Sequence, residues 1–179
     1  MKFIILDRDG VINFESELYI KSPAEWIPIP GSLEAMAALN RAGYHILIAT
    51  NQAGVGRGYY DLEMLDQIHE KLVFELATVG GYVEEIFFCP HHPDDHCGCR
   101  KPQIGLFHAI QNKYPIDFNE TYFIGDSLTD LQVAQRIGCK PLLVLTGNGE
   151  KTLQHIQNHT ELSCIPYFVD LATAVKHII

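Results

Sequence analysis

What this chain has little of narrows its role before any motif is read. Lys and Arg number 13 against 22 Asp and Glu, for a formal net charge of −9. No run of basic residues occurs, which excludes a general nucleic-acid binder, since such proteins carry a basic patch. Long apolar runs are also missing. The opening Phe3–Leu6 is too short for a signal-peptide core and acidic residues follow it at once. Nowhere does an apolar stretch approach the ~18 residues that cross a bilayer. Cysteines number 5, and Cys89, Cys97 and Cys99 crowd into one short loop while Cys139 and Cys164 stand alone. So clustered an odd count fits a reduced compartment and a metal site, not a disulfide framework. Cys139 and Cys164 lie in apolar surroundings and read as core thiols. The expectation is a cytoplasmic protein with neither membrane nor nucleic acid as partner.

What is present is enough for a core: 179 residues, 47% of them hydrophobic, about one domain's worth. With no internal repeat, low-complexity tract or linker, residues 1–179 are expected to form a single domain. Strand-like and helix-like segments alternate. Phe3–Leu6, His45–Ala49, Glu85–Phe88, Tyr122–Gly125, Leu142–Leu145 and Ile165–Val169 read as strands. Between them, Ser32 can cap a helix closed by Gly43, and a long helix follows from about Asp61 to Gly80-Gly81. Helices around Phe107 and Ile110, from Leu128 to Gly138, around Leu153 and Ile156, and from Asp170 complete the series. Apolar strands separated by helices indicate an α/β fold with a parallel sheet covered on both faces. Ligands of such sheets bind beyond the carboxyl ends of the strands. Asp7 and Asp9, Thr50 and Asn51, and Asp126 all fall at such ends, so one topology brings them to one crevice.

Each motif there has a plainer reading beside the chemical one. In Asp7-Arg8-Asp9-Gly10-Val11, two carboxylates can share a cation and a substrate, one as nucleophile and one as acid and base. A solvated acidic turn is the plain alternative. Thr50-Asn51-Gln52-Ala53-Gly54 offers a hydroxyl and backbone amides to phosphoryl oxygens, or is an ordinary turn. Arg100-Lys101-Pro102 can neutralise a transferring phosphoryl group and clamp a second anionic group, or is a surface basic pair. In Gly125-Asp126-Ser127-Leu128-Thr129-Asp130, Asp126 can ligate magnesium, while Asp130 suits either a metal or a helix N-terminus. Three thiolates and an imidazole from Cys89-Pro90-His91-His92-Pro93 and Cys97-Gly98-Cys99 meet the tetrahedral preference of structural zinc. His91, His92 and His96 are all within reach as the fourth ligand. Trp26 either lines the site or packs, and His69 and His155 have no partner pattern.

Taken together, these residues resemble the haloacid-dehalogenase-like phosphohydrolase superfamily, whose four motifs occur here in order: Asp7-x-Asp9, Thr50, Lys101 and Gly125-Asp126. Cys-Pro-His followed by Cys-x-Cys-Arg-Lys-Pro is similar to a smaller branch holding heptose-1,7-bisphosphate 7-phosphatases and histidinol-phosphate phosphatases. Asn13 and the Arg57-Gly58 pair point to the heptose side. The resemblance implies a Rossmann-like three-layer sandwich with a central parallel sheet, a minimal cap and a zinc-binding loop. It implies Asp7 as nucleophile, Asp9 as acid and base, and Thr50 and Lys101 on the phosphoryl group. Magnesium would be held by Asp7, the Asp9 carbonyl and Asp126, and zinc by Cys89, His91, Cys97 and Cys99. Substrate contacts would come from Arg8, Glu15, Ser16, Glu17, Leu18, Asn51, Gln52, Ala53, Arg57 and Arg100. Ser127 stands where some members carry Lys. A monomer acting on a small sugar phosphate in nucleotide-heptose supply for lipopolysaccharide follows from the same resemblance. Histidinol phosphate is the alternative substrate, for whose amine Glu15 or Glu17 could serve. A zinc-stabilised binding module without catalysis is the remaining reading, and it leaves the acidic, Thr and Lys set without a purpose.

Overall fold

The computed structural model describes residues 1–157 and 162–179. Its strands are β1 (Lys2–Leu6), β2 (Tyr44–Asn51), β3 (Glu85–Cys89), β4 (Tyr122–Gly125), β5 (Lys140–Val144) and β6 (Tyr167–Phe168). All pair in parallel, in the order β3-β2-β1-β4-β5-β6. The helices are α1 (Ser32–Arg41), α2 (Ala53–Gly56), α3 (Leu62–Thr78), α4 (Gly105–Lys113), α5 (Leu128–Ile137), α6 (Gly149–Ile156) and α7 (Leu171–Ile178).

Alternation along the strands divides the core into two layers, because successive side chains leave opposite faces. Ile4, Leu6, Ile46 and Ile48 meet Met36 of α1, Ile68 and Leu72 of α3 and Val175 of α7 on one face. Phe3, Ile5, Leu47 and Ala49 meet Phe107 and Ile110 of α4 and Val133 of α5 on the other. The result is a three-layer α/β sandwich, as expected. The chain order along the sheet reverses between β1 and β4, so the crevice for a ligand opens there, beyond their carboxyl ends. Between β1 and α1 the chain forms turns and isolated bridges at Asn13, with no inserted domain.

Several local expectations are corrected. Ser32 does not cap α1: Gly31, at φ +84°, holds that position. The Ser32 hydroxyl instead donates to the Ile12 carbonyl at 2.6 Å, tying α1 to the turn that follows β1. The last strand is only Tyr167–Phe168, because Pro166 before it offers no N–H to a ladder. Cys164 is exposed, unlike Cys139, which is buried among the core residues under α5. Trp26 is fully buried and packs with α1 and α3, away from the crevice.

Candidate active site

The end of β1 places Asp7 where its N–H donates to the Ile124 carbonyl of β4 at 2.9 Å. The carboxylate thus stands at the point where the sheet's order reverses. Lys101 approaches from the far side of β2, its Nζ 3.0 Å from Asp7 Oδ1 and 2.6 Å from Asp130 Oδ1. It also donates to the Ala49 carbonyl at 2.8 Å. Asn51 holds Lys101 there, accepting from its N–H at 3.0 Å and donating to its carbonyl at 3.2 Å. Burial opposes a charge on Lys101, but Asp130 and Asp7 prevail and raise its pKa to about 12. It is a permanent cation beside the candidate nucleophile.

Asp126 ends β4 in a tight cradle. A Cβ on Gly10 (φ +78°) or on Gly147 (φ +59°) would lie 2.2 Å from its Oδ2. That oxygen accepts the Asn148 N–H at 2.7 Å, and the Asp126 carbonyl accepts the Thr152 hydroxyl at 2.9 Å. Oxygens of Asp7, Asp126 and Asp130 gather within 4.8 Å of one another. Burial, and then the charges of Asp130 and Asp7, push Asp126 up to about 9. Burial raises Asp7 to about 7 against the pull of Lys101. One lysine does not neutralise this cluster. Asp130 also closes a capping box on α5, bonding Ser127 through backbone and hydroxyl.

The Asp9 carboxylate is turned elsewhere. Its Oδ1 accepts from Arg8 Nη2 and Asn13 Nδ2, each at 2.8 Å, and its Oδ2 from Gln52 Nε2 at 2.8 Å. Burial works to raise its pKa, but Arg8 and the Asn13 and Gln52 hydrogen bonds bring it below the usual carboxylate range. Gln52 also donates to Thr50 Oγ1 at 2.9 Å, linking the two motifs. Burial, then the Arg8 charge, hold His69 neutral, with its pKa down at about 3.

A cavity of about 310 Å³ lies over these groups. Of the residues singled out from sequence, Asp7, Asp9, Glu15, Ser16, Glu17, Thr50, Asn51, Gln52, Ala53, Arg100 and Asp126 line it. Lys101 stands behind Asp7. Arg8 does not line it: fully buried, its guanidinium grips Asp9 from below. Leu18, 76% exposed, faces a shallow outer groove with Tyr19 and Tyr59, and Arg57 lies over the Tyr19 ring at 6.0 Å. Tyr19 lines it as well, and so do Tyr60, Thr129 and Asn148, the last three of which were not foreseen. Applying the strand-end rule to β5 would have found Asn148, which also bonds Glu15 with its side chain. Tyr60 sits in no periodic pattern, so only the fold reveals it.

Beyond β3, the Sγ atoms of Cys89, Cys97 and Cys99 lie 3.2–3.6 Å apart, and His91 Nδ1 is 3.1 Å from Cys99 Sγ. A disulfide would need about 2 Å. These separations are close to the edges of a tetrahedron with arms of about 2.3 Å. His92 instead caps the Pro93–Asp95 turn, and His96, at φ +48°, is not among the four gathered donors.

Comparison with known proteins agrees with this layout. A model of the HAD-hydrolase-like family matches residues 98–171. A D-glycero-beta-D-manno-heptose-1,7-bisphosphate 7-phosphatase of Pseudomonas putida is 47% identical over all of both chains. That of Bordetella bronchiseptica is 52% identical over 86% of each. The chain belongs to the heptose-1,7-bisphosphate 7-phosphatase family. The crystal structure of the family's B. bronchiseptica D,D-heptose 1,7-bisphosphate phosphatase, complexed with magnesium and phosphate, superposes with a TM-score of 0.94. It covers 99% of this chain and 98% of its own, at 47% identity. A Burkholderia thailandensis member gives a TM-score of 0.77 at 38% identity, over 99% and 98%.

Proposed function

We propose that this protein is a magnesium-dependent phosphatase that removes the 7-phosphate of D-glycero-β-D-manno-heptose 1,7-bisphosphate. The observation that carries it is the meeting of Asp7, Asp9, Thr50, Lys101 and Asp126 at one crevice of a chain so close to phosphatases of that name. A divalent cation fits the donor set: buried carboxylates with raised pKa values, one cradled by glycines that leave no room for a side chain. Asp7, Asp126 and the Asp9 carbonyl would hold it. When bound, it neutralises oxygens of the phosphoryl group and keeps Asp7 ionised.

In the first step a carboxylate oxygen of Asp7 attacks phosphorus, and the bond from phosphorus to the sugar oxygen breaks. Asp9 gives its proton to that leaving oxygen. The clamp on Asp9 favours its anion, and the arriving negative phosphate raises its affinity for that proton. In the second step water attacks the aspartyl-phosphate, its proton passes to Asp9, and the Asp7–phosphorus bond breaks. Lys101 and the Thr50 hydroxyl offset charge on the transferring group throughout.

Arg100 supplies a group for the second phosphate. It lines the cavity, and its buried Nη1 has no hydrogen-bond partner among the described residues. Cys89, His91, Cys97 and Cys99 would hold a structural zinc that leaves no open position. Four thiol and imidazole donors converging in a loop of low hydrophobic content support that assignment. A reduced compartment, the cytoplasm, keeps such thiols free, and a site lined by one chain suits a monomer. The chain would thus act as one domain, in nucleotide-heptose supply.

Phosphate release with magnesium from both anomers of the bisphosphate and from histidinol phosphate, in parallel, tests the assignment. The β-bisphosphate is expected to turn over fastest. Preference for histidinol phosphate would overturn the substrate and leave the chemistry standing.

A further inference from the structure

Two residues outside the family motifs reach Asp9 through its neighbours, from opposite sides. On one side, Gln52 Nε2 donates to Asp9 Oδ2 and to Thr50 Oγ1. An amide can turn over, exchanging its oxygen and nitrogen, and would then offer Asp9 an oxygen. The Asp9 carboxylate disfavours that flip, and Tyr60 anchors the amide as it stands, its hydroxyl donating to Gln52 Oε1 at 2.9 Å. Tyr60 is itself buried, and so close to α2 that a Cβ on Gly54 would lie 2.2 Å from its ring.

On the other side, Arg8 places Nε 3.1 Å from Asp9 Oδ1 and Nη2 2.8 Å and 3.0 Å from its two oxygens. The guanidinium is wholly buried, so its remaining nitrogen needs a partner within the protein. His69 provides it from the middle of α3, with Nε2 3.2 Å from Arg8 Nη1. The His69 ring packs against Phe88 of β3, with centroids 5.6 Å apart, which sets its plane. The other buried positions of α3, Leu65, Ile68, Leu72 and Leu76, are all apolar, so His69 is the one polar side chain on its core-facing side.

We infer that Tyr60 and His69 are positioning residues for proton transfer: Tyr60 acts through Gln52, and His69 through Arg8, to fix where the Asp9 carboxylate stands. The inference rests on the acid and base role proposed above for Asp9. Loss of either partner leaves Asp9 chemically intact but loosely aimed, and misplacement of about 1 Å can cost on the order of a hundredfold in rate.

The test compares Tyr60→Phe, His69→Leu, His69→Gln and Asp9→Asn as full-length, metal-loaded enzymes. Steady-state rates are measured on the heptose bisphosphate, and phosphoenzyme is trapped by acid quench during turnover of an aryl phosphate. The aryl leaving group needs no proton, so a displaced Asp9 slows only the hydrolysis of the aspartyl-phosphate. Tyr60→Phe and His69→Leu are expected to lower kcat by roughly ten- to a hundredfold, with KM unchanged and phosphoenzyme accumulating. His69→Gln recovers most of the rate, since its amide oxygen can accept from Arg8. Unchanged kcat, a loss confined to KM, no accumulation, or no recovery with Gln overturns the inference. Should His69→Leu fail to fold, Tyr60→Phe, which lacks a single oxygen, still decides it. Full turnover by Asp9→Asn would instead overturn the mechanism beneath it.

Discussion

The α-carbons of Gly10 and Gly147 show how little room Asp126 has. Both have positive φ, and either Cβ would press on the same carboxylate oxygen. Gly147→Ala is therefore expected to cost about 1–3 kcal/mol of stability and most of the activity, read from thermal unfolding and turnover. Asp7→Asn, isosteric but without the nucleophilic charge, should fold normally and lose nearly all turnover. Wild-type turnover in that variant would sink the covalent mechanism. The carboxylate cluster also sets a pH dependence. Asp126 and Asp7 stand at about 9 and about 7, above the 3.8 of a free carboxylate. Between those values and 3.8 the native state holds protons that the unfolded chain has released. Their contribution to stability therefore falls as pH rises through the neutral range, when magnesium is withheld. Asp126→Asn removes its share, so the melting temperature of the variant should decline less between pH 6.5 and 9 than that of wild type. Saturating magnesium should flatten the wild-type curve in the same window. An identical decline in both proteins would show that the cluster is not strained.

At the scale of elements, the loop between β3 and α4 has little apolar support of its own. Its Pro93–Asp95 turn buries nothing, and Cys89, His91, Cys97 and Cys99 are the donors that a metal ion would tie together. A zinc chelator is expected to lower the melting temperature, with excess magnesium failing to restore it. Because Arg100 and Lys101 follow Cys99 directly, activity should fall in step. Retention of both melting temperature and activity after stripping would refute the zinc assignment. α3 does more than cover the sheet. Its N-terminus is capped by Asp61, whose side chain accepts the Met64 N–H at 2.8 Å, and its midpoint carries His69 to Arg8.

Over the whole molecule, no inserted domain follows β1 among the described residues, and the crevice is bordered by the 15–20 turn, Tyr60, the Asn148 loop and Arg100 beyond the cysteine loop. Selectivity must then come from the rim of the cavity. Arg100 is on that rim and Arg57 is not. Arg100→Ala is thus expected to raise KM for the bisphosphate by at least about tenfold, the worth of one charge-assisted contact, while barely affecting a monophosphate. Arg57→Ala should have the smaller effect. Equal losses on both substrates would place Arg100 on the transferring phosphate instead.

Much of this was legible in one dimension. Apolar strands spaced by helices dictate a covered parallel sheet, because runs such as Phe3–Leu6 have no polar face to give to water. A sheet of that kind exposes its strand ends, so Asp7, Thr50 and Asp126 were bound to meet. The clustered thiols were equally plain, since spacing alone brings them within reach of one ion. What sequence could not supply was direction. The resemblance implies Arg8 as a substrate contact, yet alternation along the chain turns it beneath Asp9. Tyr60 and His69 carry no motif, and they matter only because α2 and α3 fold back against the end of β1. Cys164 and Cys139 look alike in sequence, and one is exposed while the other is buried. Motif residues are determined by chemistry that spacing can express; their partners are determined by long-range packing, which only the tertiary structure decides.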